Sequence, residues 1–426
     1  MLRFFKHDVP AHITVANLIG FALTFLAVPL IARSIGPAGR GETAAALAAF
    51  AIAPTILGLG VPLELRRRSS AVLDQSSTRA ARDLVLLSLA PAALLGGAFV
   101  LTVYSDLDRS LQLSALAGLA LLAPVSVSWA CDTGILMGQG RYRAVALIRI
   151  AHPSTTLIAI GAGALSDRLT PSGVLWASML ATLATGILGY GLNRAAVVGK
   201  RSSRSILLKQ GSRFAGSAIA ESASARLDQV LTLPLIGAAA AGQYSIASSM
   251  ALLPLALGQA LGADHFRAVA QAQTEEEAVR LSHKAVREAL AVSLPACLIY
   301  AAVASHLIPL VFGSAFVSAV NLFWILIPGS VCLTAGFVAT LVLAARERGK
   351  TMSLIQVGGL AVGVALLLLL GPTMGAGGAA AASTAAYIFV LGAQMCALRA
   401  TLHDVLPRWS DLRAGSVSLF ARGGRL

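Results

Sequence analysis

Between residues 84 and 104 the chain reads LVLLSLAPAALLGGAFVLTVY, without a single charge. About twenty apolar residues wound as a helix match the roughly 30 Å hydrocarbon core of a bilayer. Segments of this kind recur along the 426 residues, near 12–32, 42–63, 83–104, 111–138, 144–163 and 171–193, then near 213–236, 239–262, 285–312, 317–344, 351–371 and 377–398. Their apolar residues come in blocks rather than in one helical stripe, so most of these helices are apolar all round. No segment alternates with a period of two, which excludes a membrane β-barrel. The sequence predicts an all-α polytopic membrane protein with twelve transmembrane helices. Only 12% of the residues are charged, half of what a soluble chain carries at about 25%, and the mean hydropathy is +0.78.

A net charge of +14 raises the question of nucleic acid, and the placement of the charges answers it. With the N-terminus in the cytoplasm, and Arg213 and Arg287 at the cytoplasmic edges of their spans counted as cytoplasmic, 27 of the 33 Lys and Arg fall in cytoplasmic segments, 4 in external loops, and 2, Arg149 and Arg226, inside spans. That is the positive-inside asymmetry, so both termini of a multi-pass membrane protein are expected in the cytoplasm. The excess of Arg over Lys, 28 to 5, with abundant Ala and Gly, points to a high-GC bacterium and hence to the bacterial cell membrane. Membrane lipids, not nucleic acid, are the partners this charge implies. The first apolar run is too long for a signal-peptide core and lacks a small-x-small cleavage site, so it is read as a retained span.

Six spans precede the basic, Ser-rich stretch 194–212 and six come after it. The expected organisation is an N-terminal six-helix lobe (1–193), that stretch as a cytoplasmic linker, a C-terminal six-helix lobe (213–398) and a basic cytoplasmic tail (399–426). Six being even, both lobes start on the same side, as in parallel-repeat transporters. VPLIARSIGPAGRGETAAA (28–46) echoes LPLIGAAAAGQYSIAS (233–248) across a four-residue gap, with Pro29 facing Pro234 and Gly41 facing Gly242. Thr274 followed by Glu277 is a capping box that should open a helix before span nine.

Three stretches carry a family resemblance. PLIARSIGPAGRGETAAALAAF closing span one and opening span two, GILMGQGRYRAVALIRI (134–150) and SARLDQVLTLPLIGAAAAGQYSIASSM (224–250) resemble the Wzx-type oligosaccharide flippases. These form a branch of the multidrug/oligosaccharidyl-lipid/polysaccharide (MOP) superfamily, which also holds the multidrug MATE exporters. The resemblance implies two six-helix lobes, a 6+6 pseudo-repeat, around a central cationic cavity, working by alternating access. The implied cargo is a polyprenyl-pyrophosphate-linked oligosaccharide moved from the cytoplasmic to the outer leaflet, with glycosyltransferases and a polysaccharide polymerase as the partners to look for. A cation-coupled drug exporter and a non-transporting scaffold of a polysaccharide assembly complex remain the alternatives.

Ionisable groups inside spans cost several kcal/mol and usually face a bundle interior or a wet cavity. At 100° per residue, Ser217, Glu221, Ser224, Asp228 and Thr232 fall within an arc of about 80° on span seven. Glu221 and Asp228 are therefore the ion-coupling candidates, while Arg226 lies on the opposite side of that helix. Arg149, Arg226, Arg33, Asn17 and Thr24 are the substrate-binding candidates, because a guanidinium fork suits a phosphate. Asp132 and Arg149, at similar depth on successive spans, are expected to form a structural ion pair. No cofactor or metal is expected: the four Cys lie in spans without zinc spacing and the seven His are scattered. Gly349-Lys350-Thr351 lacks the leading glycine of a phosphate-binding loop, so no ATP is expected either. External loops of about ten residues, including the Asp106/Asp108 turn, are too short to shape a catalytic site, so the chain is not read as an enzyme.

Overall fold

The computed structural model describes residues 11–70, 75–194 and 202–406. The chain's first ten residues, part of the expected linker and most of the expected tail lie outside the described residues. The described chain is helical throughout, as α1 (Ala11–Gly58), α2 (Val61–Ser69), α3 (Gln75–Leu87), α4 (Leu89–Val103), α5 (Arg109–Ala117), α6 (Ala123–Gly138), α7 (Tyr142–Leu165) and α8 (Pro171–Leu192). It continues as α9 (Arg204–Ile236), α10 (Ala238–Ala251), α11 (Leu255–Ala270), α12 (Glu275–Phe312), α13 (Ser318–Ala345), α14 (Gly349–Ala397) and the short α15 (Leu402–Val405). A π-turn at Gly118–Leu122 joins α5 to α6 as one spanning rod.

Among the described residues nine helical stretches are long and apolar enough to cross a membrane. Two of them are too long for one crossing: α1 has 48 residues and α14 has 49, about 70 Å each. Each is broken at one glycine, Gly36 (φ 67°, ψ −175°) and Gly375 (φ 60°, ψ −137°), a backbone region that L side chains avoid. Both rods therefore count as two spans. Helix α9 is long enough at 33 residues but too polar to qualify by composition. With it the described helices make up the twelve expected from the sequence.

The chain divides into two compact units, Met1–Pro234 and Leu235–Leu426, with α9 in the first. In unit one, three clusters form the interior: Val61, Leu65, Ala80, Val127, Cys131, Ile135 and Leu207; Ala27, Ile31, Ile160 and Val174; and Ile13, Leu136, Val145 and Ile148. Unit two has its core along α11, α12 and α13, around Val286, Ala289, Val338, Val342 and Leu343. Large apolar side chains face outward in both units, Leu101 at 78% and Ile299 at 68% exposed among them. Such outward faces belong against lipid tails. This is a multi-pass membrane protein.

The sequence echo has a geometric counterpart. Closing its four-residue gap pairs Gly36 with Gly237, and Gly237 (φ 82°, ψ 162°) breaks the helix between α9 and α10 as Gly36 does within α1. The capping box is also present: Glu277 N donates to Thr274 Oγ1 at 3.2 Å, and Gln273 N donates to Glu277 Oε2 at 2.9 Å.

Candidate functional site

Arg149 sits half-buried on α7 and donates from Nη1 to Oδ1 of Asn17 on α1. Two residues shape this approach. Pro153 has no N–H to return to the Arg149 carbonyl, which loosens α7 at that turn. Opposite it, Gly20 on α1 leaves room: a Cβ there would stand 3.3 Å from Arg149 O and 3.5 Å from the Pro153 ring. Arg66, at the end of α2, is near enough to repel the Arg149 guanidinium. Two of the expected substrate-binding residues, Arg149 and Asn17, are thus brought together. Thr24 lies further along α1, exposed, its hydroxyl donating to Gly20 O at 2.8 Å. Arg33 is exposed beyond it.

The expected Asp132–Arg149 pair does not form. Asp132, on α6, is 1% exposed and its Oδ1 accepts from Arg82 Nη2 at 2.6 Å and from Asn193 Nδ2 at 2.8 Å. Asp132 faces α3 and α8, whereas Arg149 faces α1. Gly189 on α8 permits this: a Cβ there would lie 3.2 Å from Asp132 Oδ2. Arg82 also donates to Ser128 Oγ and lies 4.9 Å over the Tyr190 ring. Counting Arg82 among loop charges hid it, because α3 begins well before the apolar run it leads into.

Arg40 falls between the first two expected spans, and the structure gives it a different setting. The rod α1 continues through it after the Gly36 break, and Arg40 is 6% exposed with Nε unpartnered. The basic run Arg66–Arg68, read only for topology, contains a clasp. Glu64, buried, accepts from Arg67 Nε and Nη2 and from Arg68 Nε, all at 2.9 Å. Arg68 then reaches Ser77 and Ser202 at 3.3 Å and Gln210 at 2.6 Å, tying α2 to α3 and to the start of α9. The hydrogen bond from Arg67, followed by that from Arg68, holds the Glu64 carboxyl below the usual glutamate range despite its burial.

Along α9 the polar stripe does not share one environment. Glu221 is exposed, Ser224 and Asp228 are half-buried, and Thr232 is buried with its hydroxyl on Gln229 O at 3.1 Å. Asp228 Oδ1 accepts from Gln229 N at 2.8 Å. Arg226 is exposed. The side chain of Ser217 lies outside the described residues. Chemically, unit one offers a half-buried guanidinium positioned by an amide, with Arg66 nearby: an arrangement for holding an anion.

A family model described as "Polysaccharide biosynthesis protein" matches residues 11–259, more than half of the chain. No curated protein is similar in sequence. Among solved structures the chain is similar to the lipid II flippase MurJ in an inward closed conformation, at 12% identity and a TM-score of 0.71, covering 96% of this chain and 91% of that one. It is also similar to an inward-facing multidrug resistance MATE family transporter of the MOP superfamily, at 15% identity and a TM-score of 0.67, covering 90% and 97%. A third likeness is to a MATE protein in complex with MaD3S, at 15% identity and a TM-score of 0.59, covering 91% and 95%. At these identities the likeness is one of fold.

Proposed function

Because the chain belongs to the polysaccharide biosynthesis protein family, we propose that it is a flippase for a polyprenyl-(pyro)phosphate-linked oligosaccharide. It carries this cargo from the cytoplasmic to the outer leaflet of the bacterial inner membrane by alternating access, with both termini in the cytoplasm. The observation that carries the reading is the half-buried Arg149 beside Asn17, in a span, with a neighbouring arginine and no carboxylate on its guanidinium among the described residues. A guanidinium in a span that is hydrogen-bonded only to a neutral amide keeps an uncompensated charge, which is costly unless an anion visits it. The pyrophosphate is that anion in this reading. Arg226 is a second contact, Arg33 receives the headgroup on the outer side, and Thr24 contributes to the same face of α1. The basic stretch 194–212 links the six-span lobes 1–193 and 213–398 in sequence, and Glu221 and Asp228 carry the driving ion. Glycosyltransferases and a polymerase deliver and consume the cargo.

Cation-coupled drug export is the competing reading, and the carboxylates of α9 favour it. It would need an acid to meet a cationic drug, and the first span, 12–32, holds none. Complementation of a flippase-deficient strain separates the two. Arg149→Ala and Arg226→Ala should impair export of the lipid-linked glycan while Asp106→Ala leaves it intact. Equal loss or no loss in all three variants would refute the assignment. Neutralising Glu221 or Asp228 should abolish gradient dependence, and unchanged dependence would leave both as lining only.

A further inference from the structure

The turn between α6 and α7 builds a second cationic feature that the transport reading does not use. Gly140, at φ 70°, lets Gly140 N return to Met137 O at 3.1 Å and Arg141 N to Leu136 O at 2.9 Å, closing α6 as a Schellman turn. This turn delivers Arg141, Tyr142 and Arg143 together at the N-terminal end of α7. They line an open cavity of about 620 Å³ whose remaining wall includes Leu147 and Leu192. Arg141 is held in place, its Nη1 donating to Leu192 O at 3.0 Å at the end of α8. Arg143 is exposed and carries no ion pair among the described residues. Leu147, 50% exposed, continues the wall one turn deeper along α7.

We propose that this cavity binds the headgroup of one anionic phospholipid of the leaflet it faces. The chemistry of the wall specifies the occupant. Two guanidinium groups favour a phosphate. Tyr142 supplies the amphipathic ring that settles at headgroup level, and Leu147 offers an apolar surface where the acyl chains begin. The turn lies at the face on which the sequence concentrates its arginines, where anionic headgroups also gather. A zwitterionic lipid carries the same phosphate beside its own cation, so two adjacent guanidinium groups attract it less than a lipid of net negative charge.

The test is native mass spectrometry of the full chain released from nanodiscs of phosphatidylglycerol and phosphatidylcholine. Wild type should retain one phosphatidylglycerol that phosphatidylcholine does not replace. The double variant Arg141→Gln/Arg143→Gln should lose it roughly thirtyfold, and Arg143→Gln alone, which breaks no internal contact, about fivefold. Arg168→Gln, at the other end of α7, should retain it. Undiminished retention in both variants, or equal loss of the two lipids, would overturn the proposal. So would one-for-one displacement by added undecaprenyl pyrophosphate in wild type, because the cavity would then be a station for the cargo.

Discussion

The two units solve the problem of holding helices together in lipid by different means. In unit one, Asp132 lies 1% exposed between Arg82 and Asn193, Glu64 is buried under Arg67 and Arg68, and Arg149 leans on Asn17. In unit two, Arg346–Glu275 sits at helix ends, while His265–Glu288 at 3.3 Å ties α11 to α12 with Glu288 buried more than three turns into α12. Elsewhere its spans meet through hydroxyls and small residues. Ser330 Oγ donates to Ala251 O at 2.7 Å, Thr384 Oγ1 to Ile325 O at 2.8 Å, and Tyr244 and Ser383 share a hydrogen bond of 2.7 Å. Gly258 lies so close to α13 that a Cβ would meet Thr334 O at 2.6 Å. Lipid tails provide no hydrophobic drive between helices, so close packing and hydroxyl bonds suffice for a scaffold. Ionisable groups are the more expensive choice and mark where work is done. On that criterion unit one bears more of the chemistry and unit two, Glu288 apart, the packing.

The largest effect should come from breaking the Asp132 cluster. Arg82→Ala would strand a buried carboxylate, at a cost of roughly 3–5 kcal/mol, whereas Arg82→Met with Asp132→Leu should recover most of the loss. Buried cysteines make this readable unit by unit, since Cys131 lies beside Asp132 and Cys297 lies in unit two, 3% and 0% exposed. On heating a background without Cys332 and Cys396, Arg82→Ala should expose Cys131 to a thiol reagent well before Cys297. Simultaneous exposure would mean the units melt as one, and the contrast would lose its energetic meaning.

The converse variant is Gly258→Ala. Forcing a methyl against the Thr334 carbonyl should cost about 1–3 kcal/mol by overpacking and expose Cys297 first. Transport per folded molecule should change little. If it collapses while stability holds, unit two is more than scaffold.

These two sites differ in how far they were legible beforehand. Spans depend on the length and polarity of segments alone, so all twelve could be set out, and the echo of Pro29 and Pro234 led to the paired breaks at Gly36 and Gly237. Partners across helices are another matter. Nothing in spacing connects Arg82 to Asp132 or Arg149 to Asn17, because those pairs depend on which helix faces are turned together. The setting of Arg40 was hidden for a related reason: composition treats Gly-Pro-Ala-Gly as a loop, whereas the backbone needs only one left-handed glycine to redirect a helix that then continues and buries its next residues. Pro153 opposite Gly20 could have been suspected, since an intramembrane proline frees the carbonyl four residues before it.

Arg149→Gln should sharpen the functional half of the comparison. Losing a charged hydrogen-bonding group that meets the cargo costs roughly 1.5–3 kcal/mol, or about tenfold to a hundredfold in transport. Thermal exposure of Cys131 should stay where it is. A matching fall in stability would place Arg149 with Asp132 among the structural groups.

The smallest effect belongs to the clasp, and pH reads it. Glu64 lies on α2, beyond the end of α1, and its carboxyl is held below the ordinary value of about 4.3 first by the hydrogen bond from Arg67. A depressed carboxyl stabilises the folded state fully above its unfolded pKa and stops doing so as pH falls through the folded one. The clasp should therefore be indifferent to pH between about 7 and 5 and loosen only below about 4. Hydrogen exchange across 61–69 and 204–212, corrected for its intrinsic rate, should rise in that acid range and not before. Glu64→Gln should give exchange in both segments that is modestly faster at neutral pH and no longer steps up in acid. If the acid step survives in that variant, a group other than Glu64 governs how the start of α9 is fastened to unit one, and the clasp is only one of several ties.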